Sequence, residues 1–271
     1  MHPVLFRFGW FSGHSFGFML AVSFLLGIYI SGYRAKRFGV APEHILDLSV
    51  YVIISGVVGS RLLYVAFHID EYRNFVDVFA LWQGGATLYG GFLLAILAGY
   101  IFSRKRNVGF LLLGDIISPA LALGIALTRV GCFLSGCCFG KQTTHAWGVT
   151  FPPDSPAGAY ERGLAAVGSA GAVALHPSQL YDSLLGLVTF VLLIALQKRL
   201  AKRGAAFGLM LFCYGVFRFV VDFTRYYETN MMLTGSINLN QVISAGLVIA
   251  GVYLLFRRAQ EKTPARSNPR E

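Results

Sequence analysis

Charged side chains are scarce in this sequence. Of its 271 residues, 13% are Asp, Glu, Lys or Arg, whereas 55% are hydrophobic. A typical soluble domain carries about 25% charged residues, so this chain has too little polar surface to cover a core in water. The shortage excludes an ordinary soluble domain and predicts a protein whose solvent is largely lipid.

Acidic residues are scarcer than basic ones. The chain has 13 Asp and Glu against 23 Lys and Arg, which gives a formal net charge of +10. In a soluble protein such an excess would suggest nucleic acid as a partner. Here the basic residues lie in the connections between apolar segments, so no nucleic-acid partner is expected.

Cysteine is also rare, with four residues in the chain. Four are too few for a disulfide scaffold. Cys132, Cys137 and Cys138 lie close together in a predicted external connection, where a disulfide is permitted, and Cys213 lies in an apolar segment. Their C-x4-C-C spacing lacks the paired C-x2-C pattern of structural zinc sites. We therefore expect no metal and no other cofactor.

Long apolar segments are what the sequence does contain. A bilayer about 30 Å thick requires roughly 20 apolar residues per helix. Seven segments approach that length: 16–33, 45–67, 88–102, 110–127, 180–196, 206–223 and 241–256. The sequence therefore predicts an all-α, polytopic membrane protein with seven transmembrane helices. Cleavage of the first segment as a signal peptide would leave six, but Arg7 is the single charge before it and no cleavage site follows.

A single membrane domain is expected over residues 1–258, since no internal repeat or linker is found. Within it, residues 128–179 form a long external connection between helices four and five. Residues 259–271 form a polar cytoplasmic tail that we expect to be disordered.

Basic residues occupy alternate connections, and this sets the predicted orientation. They are Arg34, Lys36 and Arg37; Arg104, Lys105 and Arg106; Lys198, Arg199, Lys202 and Arg203; and Arg257 with the tail. Cytoplasmic connections carry an excess of Lys and Arg. The amino terminus is therefore predicted outside and the carboxyl terminus inside. The connection between helices two and three, with Asp70, Glu71 and Asp77, fits the outer side.

Some ionisable residues fall inside the apolar segments, where each costs about 2.5–3.5 kcal/mol at the helix centre. Tyr214, Arg218, Asp222 and Arg225 are three or four residues apart, which predicts one face of the sixth helix. Guanidinium groups match phosphate oxygens in bidentate fashion. Arg129 is predicted at the same depth, so these residues indicate a site for an anionic headgroup.

Simpler interpretations exist for the same charges. Arg218 and Asp222 would form an intrahelical pair that makes each tolerable in lipid. Arg225 and Arg61 would extend to the interface by snorkelling. Asp115 and Asp182, near the starts of the fourth and fifth helices, also require partners.

The 4–5 connection begins and ends with recognisable segments. Residues 128–140 are rich in glycine, which predicts either a re-entrant stretch that presents Arg129 or an ordinary interfacial loop. Residues 176–182 form a turn into helix five, in which His176 is more often a hydrogen-bonded turn residue than a catalyst. Two Gly-Gly pairs near the start of helix three, at 84–85 and 90–91, indicate either a flexible segment or close helix packing.

Together these segments resemble the prolipoprotein diacylglyceryl transferase family. The likeness rests on R-x-G-x-F-x-x-G-x-x-x-G at 129–140, H-P-S-Q-L-Y-D at 176–182 and Y-G-V-F-R-F-V-V-D-F-T-R at 214–225. Shorter similarities are G-S-R-L-L-Y at 59–64, W-Q-G-G at 82–85 and N-Q-V-I-S at 240–244. The order of the segments and the seven-helix layout make the match specific.

The resemblance implies an enzyme of the bacterial cytoplasmic (inner) membrane with its site toward the external face. Such an enzyme transfers the diacylglyceryl group of phosphatidylglycerol to the lipobox cysteine thiol of a prolipoprotein signal peptide and releases glycerol 1-phosphate. This is the first step of lipoprotein maturation. Phosphatidylglycerol, the signal peptide and membrane lipid are the implied partners.

The resemblance also implies roles for individual residues. Arg129 would hold the phosphate, and Arg218, positioned by Asp222 and Tyr214, would stabilise the transition state, with Tyr89 as a third catalytic residue. Further substrate-binding candidates are Tyr214, Arg225, Arg61, His176, Gln179, Cys132 and Gly140.

The chain departs from the family pattern at several positions. Family members commonly have H-G-G where this chain has Tyr89, Gly90 and Gly91, and a tyrosine of pKa about 10 is a poorer base at neutral pH. Cys132 stands where Asn is common, and Cys137 and Cys138 where an acidic residue is frequent. The alternative is a paralogue without catalysis, or with altered chemistry, that binds phospholipid or lipopeptide. A transporter is disfavoured because no repeat or paired broken helices are found.

Overall fold

The computed structural model describes residues 2–8, 11–69, 85, 87–166, 173–200, 202–227, 232–234 and 237–257. Eight helices occur among them: α1 Ser15–Arg37, α2 Pro42–Phe67, α3 Leu88–Lys105, α4 Phe110–Ser135, α5 Pro156–Ala166, α6 Ser178–Ala195, α7 Ala205–Val221 and α8 Leu239–Phe256. Two antiparallel strand pairs complete the described elements: β1 Val4–Phe8 with β2 Phe11–His14, and β3 Met232–Thr234 with β4 Ile237–Asn238.

The predicted helical architecture is confirmed. Each of the seven apolar segments forms a helix, and in chain order they correspond to α1, α2, α3, α4, α6, α7 and α8. Five helical segments are long and apolar enough to cross a membrane: α1, α2, Phe110–Leu134 of α4, α6 and α8. Helix α7 is apolar but shorter. Seven spans and the orientation of the termini therefore stay predictions. Helix α5 and the two strand pairs were not predicted from the sequence, because short amphipathic or paired segments leave little periodicity.

Two helix ends differ from the sequence prediction. Helix α4 continues to Ser135, so Arg129 lies within the helix. Both interpretations of residues 128–140, a re-entrant stretch and an interfacial loop, are therefore wrong for residues 128–135, and the connection begins after Ser135 and not at residue 128. The helix ends at Gly136, whose φ of 66° is the left-handed conformation that glycine adopts without strain. Helix α7 ends at Val221 with Asp222 as its cap, so Arg225 lies beyond the helix and not on its face.

Helix α4 occupies the centre of the bundle and packs against α1, α6 and α7, while α2 packs on α3 and α7 on α8. Glycine permits close approach where α2 crosses α3. A Cβ added to Gly59 would lie 2.4 Å from the Gly90 carbonyl oxygen, and one added to Gly90 would lie 2.2 Å from the Gly59 oxygen. Gly90 therefore permits close helix packing. This was one of the two interpretations of the 90–91 pair, the other being a flexible segment.

The second turn of α4 is bound to two other helices. The Asp115 carboxylate accepts hydrogen bonds from the backbone N–H groups of Gly204, at 2.5 Å, and Phe207, at 2.9 Å. Arg34, near the end of α1, donates to the carbonyls of Ile116, at 3.1 Å, and Asp115, at 3.2 Å. These two buried charges thus have structural partners, and the end of α1 lies beside the start of α4.

Some predictions fall outside the described residues. They concern the acidic residues Asp70, Glu71 and Asp77, the first three residues of the W-Q-G-G segment at 82–84, and the tail at 259–271.

Candidate active site

The Asp182 carboxylate is the centre of a buried ion-pair cluster. Its Oδ2 lies 3.1 Å from Arg129 Nε, 3.2 Å from Arg218 Nη1 and 3.7 Å from Arg225 Nη1. Arg129 comes from α4, Asp182 from the second turn of α6 and Arg218 from the last turn of α7. The Asp182 carboxylate therefore brings together three of the arginines that the sequence singled out.

Arg218 is also bound by a second carboxylate and a phenol. Its Nη2 lies 3.1 Å from Asp222 Oδ1 and donates a hydrogen bond of 2.6 Å to the Tyr227 hydroxyl. That hydroxyl in turn donates to Asp222 Oδ1, at 2.6 Å. The predicted intrahelical pair of Arg218 and Asp222 thus exists, but it belongs to a larger network. Burial raises the pKa of Tyr227, which keeps its hydroxyl protonated as the donor to Asp222.

The cluster carries an excess of positive charge. Three guanidinium groups face the two carboxylates of Asp182 and Asp222, which leaves one positive charge without a carboxylate in the described part of the chain. Asp222 Oδ2 and Gln179 Oε1 are buried and have no hydrogen-bond partner among the described residues. Buried polar atoms normally find partners, so this arrangement is suited to a ligand that brings both a negative charge and donor groups.

A small cavity of about 20 Å³ lies next to the cluster, between α4, α6 and α7. Asp182, Tyr214 and Arg218 form its polar wall, so Tyr214 and Arg218 share one face of α7, as the sequence predicted. The remaining walls are mainly apolar: Ala122, Ile125, Leu185, Gly186, Thr189, Met210 and Phe217. The site thus combines a cationic end with an apolar space.

The segment after α4 is held against the start of α6 and the end of α7 by backbone contacts. Gly140 N–H donates to the His176 carbonyl, at 2.9 Å, and Gly140 pairs with Arg225 in an isolated bridge. A Cβ on Gly140 would lie 2.5 Å from His176 Cβ and 2.6 Å from the Thr224 carbonyl. Only glycine permits this approach, which brings Arg225 to Asp182.

His176 and Gln179 secure the same region. His176 Nδ1 lies 3.1 Å from the Tyr181 hydroxyl, and burial, followed by the neighbouring His145, lowers the pKa of His176. A hydrogen-bonded turn histidine is what the sequence favoured. Gln179 is fully buried and donates from Nε2 to the Cys137 carbonyl, at 2.7 Å.

Tyr89 and Arg61 come from the α2–α3 pair. Tyr89 is 40% exposed, and its hydroxyl donates a short hydrogen bond to Asn240 Oδ1 at the start of α8. It lies within electrostatic range of Arg218 and Asp222. Arg61 is buried and donates to the Gly85 carbonyl, at 2.9 Å.

Cys132, Cys137 and Cys138 are all free thiols, and their Sγ atoms lie within 4.8 Å of one another. Hydrogen bonds with Cys132 and Cys137, and then the charges of Arg225 and Arg129, lower the pKa of the Cys138 thiol. Hydrogen bonds with Cys132 and Cys138 raise the pKa of Cys137. The three thiols therefore interact with one another, within electrostatic range of Arg129 and Arg225.

Sequence reasoning missed two residues of the network. Asp182 was recognised as a charge that needs a partner but was given no role, although it binds three arginines. Tyr227 follows α7, where no helical periodicity singles it out. The sequence signal for Tyr227 was weak, because it is one of two consecutive tyrosines that follow Arg225.

Comparison with known proteins identifies the family of this chain. The family model described as prolipoprotein diacylglyceryl transferase matches residues 3–257. A phosphatidylglycerol–prolipoprotein diacylglyceryl transferase of Geobacter sulfurreducens is 32% identical over 266 residues, which cover 96% of each chain. One of Solidesulfovibrio magneticus is 31% identical over 271 residues and 97% of each chain, and one of Coxiella burnetii is 32% identical over 264 residues and 94% of each chain. The resemblance inferred from the motifs is confirmed, and this chain belongs to the prolipoprotein diacylglyceryl transferase family.

Proposed function

We propose that this protein transfers the diacylglyceryl group of phosphatidylglycerol to the lipobox cysteine thiol of a prolipoprotein signal peptide and releases glycerol 1-phosphate. The relatives named above carry this activity in their names. The observation that supports it here is the cluster of three arginines on two carboxylates, which leaves a positive charge for a phosphate.

The position of the cluster along α4 supports an external site. The basic end of α1 lies beside Asp115, whereas Arg129 lies 14 positions further along α4, or about 21 Å at 1.5 Å per residue. If the basic connections are cytoplasmic, the cluster lies in the outer half of the membrane. We therefore place the protein in the bacterial cytoplasmic membrane with seven spans, the amino terminus outside and the carboxyl terminus inside.

The lipid headgroup is the proposed ligand of the arginines. Arg129 and Arg225 hold the phosphate, since guanidinium groups keep their charge when buried and bind phosphate in bidentate fashion. The cavity beside Asp182 and Arg218 has room for about one water-sized group, so the lipid stays in the bilayer and presents its headgroup to the arginines. The membrane thus supplies one substrate from the side.

The chemistry is a displacement at the glyceryl carbon that bears the phosphate ester. The thiolate of the lipobox cysteine forms the new C–S bond as the C–O bond breaks, and the electron pair of that bond leaves with the phosphate of glycerol 1-phosphate. The thiol proton passes to solvent. Nearby guanidinium groups favour the thiolate over the thiol.

Arg218 has the central catalytic role in this proposal. Asp182, Asp222 and Tyr227 fix its guanidinium from three directions, so its donors are oriented before substrate binds. Donors held in this way stabilise the charge that grows on the leaving phosphate, and such electrostatic stabilisation commonly contributes more to catalysis than any other effect.

The remaining candidates are assigned to substrate binding. Tyr214 lines the cavity. Gly140, His176 and Gln179 contact or form part of the segments beside Arg225, and the Cys132 carbonyl accepts a hydrogen bond from the Cys137 N–H. Tyr89, whose hydroxyl is bound to Asn240, keeps its predicted catalytic role toward the lipobox thiol. Arg61, bound to the Gly85 carbonyl, is assigned to substrate binding on the α2 side.

The test is a reconstituted reaction with purified protein, phosphatidylglycerol and a lipobox peptide, followed by mass spectrometry of the thioether and by release of glycerol phosphate. Arg218→Lys keeps the charge but loses the fork of donors, so turnover should fall by about 10²–10³-fold. Arg106→Lys is the matched control, because Arg106 forms an exposed ion pair with Asp47 at 2.7 Å. Binding of phosphatidylglycerol without any product, by protein that elutes as a single folded species, would refute the transferase proposal and favour a lipid-binding paralogue.

A further inference from the structure

The three clustered cysteines are brought together by the way α4 ends. Cys132 lies in the last turn of the helix and is 4% exposed. Gly136 reverses the chain, and the Cys137 N–H then donates to the Cys132 carbonyl, at 3.1 Å. The reversal brings the sulfurs of Cys137 and Cys138 to that of Cys132, within 4.8 Å.

The backbone of this turn is held from the neighbouring helix. Gln179 Nε2 donates to the Cys137 carbonyl, at 2.7 Å, and Ser178 Oγ donates to the Cys138 carbonyl, at 3.1 Å. Cys138 itself has a φ of 60°, a left-handed conformation that residues with a side chain rarely adopt. Such a conformation persists where the surroundings impose it, and it is frequent at functional sites.

The spacing of the sulfurs matches that of a metal–thiolate centre. Metal–sulfur bonds of about 2.3 Å place three thiolates roughly 3.8–4.0 Å apart. The three sulfurs already lie within 4.8 Å of one another, so each pair needs to close by about 1 Å or less. Ordinary side-chain rotation of cysteine supplies a movement of that size.

The surrounding charge is also suitable. Arg129 and Arg225 lie within electrostatic range of Cys138. Three thiolates on a monovalent or divalent cation carry net negative charge, which these guanidinium groups offset. Thiolate ligands select Cu⁺ and Zn²⁺ over Mg²⁺ and Ca²⁺, which prefer oxygen.

We propose that Cys132, Cys137 and Cys138 form a three-thiolate site for a thiophilic metal ion of the Zn²⁺ or Cu⁺ class. Binding forms three metal–sulfur bonds and releases the thiol protons to solvent, so no oxidant or reductant is consumed. The ion would fix the turn between Arg129 and Gly140. The site adjoins Arg129 and Arg225 of the proposed transfer site, but its test measures metal binding and does not depend on activity.

The experiment is metal titration of the full-length protein in detergent, stripped of metal and kept reduced with a phosphine. Zn²⁺ and, under anaerobic conditions, Cu⁺ are added separately, and the bound metal per chain is counted after gel filtration. One ion per chain is expected for at least one of the two probes. Single Cys→Ser changes at 132, 137 and 138 should each weaken binding by about tenfold or more, since each removes one of three ligands.

Cys213→Ser is the matched control, because Cys213 is a free, buried cysteine on α7 outside the cluster. It should bind metal as the wild type does. In unmutated protein the ion should also protect Cys137 and Cys138 from alkylation, a measurement that needs no variant. Equal metal content in the wild type and in the Cys132, Cys137 and Cys138 variants, or a disulfide within the cluster in freshly purified protein, would overturn the proposal.

Discussion

Asp182 on α6 binds Arg218 on α7 through an ion pair of 3.2 Å, and the same carboxylate oxygen lies 3.1 Å from Arg129 on α4. One side chain thus links the three helices that surround the candidate site. A buried carboxylate that holds three guanidinium groups fixes their positions and partly neutralises their mutual repulsion.

Asp182→Asn should therefore lower both activity and stability. The amide keeps the size of the side chain but removes the charge that the arginines share. Loss of one member of a buried ionic cluster costs about 3–5 kcal/mol, and we expect turnover to fall by at least tenfold as the arginines lose their orientation. Denaturation in detergent and peptide lipidation are the two measurements. Asp47→Asn, in an exposed pair with Arg106, should change stability by at most about 1 kcal/mol; equal effects of the two changes would show that Asp182 has no special role.

Tyr227→Phe tests the network on the other side of Arg218. The change removes the donor to Asp222 Oδ1 and the acceptor of Arg218 Nη2, both at 2.6 Å. Leaving such groups without a partner costs about 1–3 kcal/mol. The expected result is a lower free energy of unfolding together with slower turnover. Tyr33→Phe is the control, because the Tyr33 hydroxyl accepts from Arg37 at an exposed position. A Tyr227→Phe protein as stable as the Tyr33→Phe protein would contradict the network.

Tyr89 is the residue whose chemistry the sequence left open. Complementation of a strain depleted of its own transferase should be lost with Tyr89→Phe and kept with Tyr89→His, because the hydroxyl or an imidazole can interact with the thiol and a phenyl ring cannot. Asn240→Ala removes only the partner of the Tyr89 hydroxyl, so its effect should be smaller than that of Tyr89→Phe. Full rescue by the Tyr89→Phe protein would leave Tyr89 with no chemical role.

Gly90→Ala tests close packing between α2 and α3. The added Cβ would lie 2.2 Å from the Gly59 carbonyl oxygen, so the helices must separate. Overpacking of this kind costs about 1–3 kcal/mol, measured as a lower Tm in detergent. Gly32→Ala on α1 is the matched control, since no atom lies within 4 Å of its added Cβ. If both variants had the same Tm as the wild type, Gly90 would not be a packing residue.

The helices were predictable because lipid imposes a length and a composition on any segment that crosses it. The ends of α4 and α7 were not predictable from the same rule. Glycine is tolerated in membrane helices, so Gly131 did not end α4, whereas Gly136 did. The distinguishing contacts are tertiary: the Gly136 carbonyl accepts from the Ala157 N–H, and the Cys137 carbonyl accepts from Gln179 of α6.

The arginines were recognised from the sequence because a charged side chain in lipid is costly and usually has a partner or a function. Their common partner was not found, since Asp182 is distant from Arg129 in the sequence and meets it only when α4 packs on α6. The cysteines show the same limit. Their C-x4-C-C spacing indicated no metal site, but the chain reversal at Gly136 brings the three sulfurs within 4.8 Å.

The sequence by itself determined that this is a helical membrane protein with arginines at one end of its helices, because apolar length and charge scarcity are local properties of the chain. Tertiary structure alone decided which carboxylate holds those arginines, that Tyr227 joins them and that three thiols meet beside them. Those contacts connect different helices, and helix packing is set by the shape of whole surfaces, such as the glycine contact of α2 with α3.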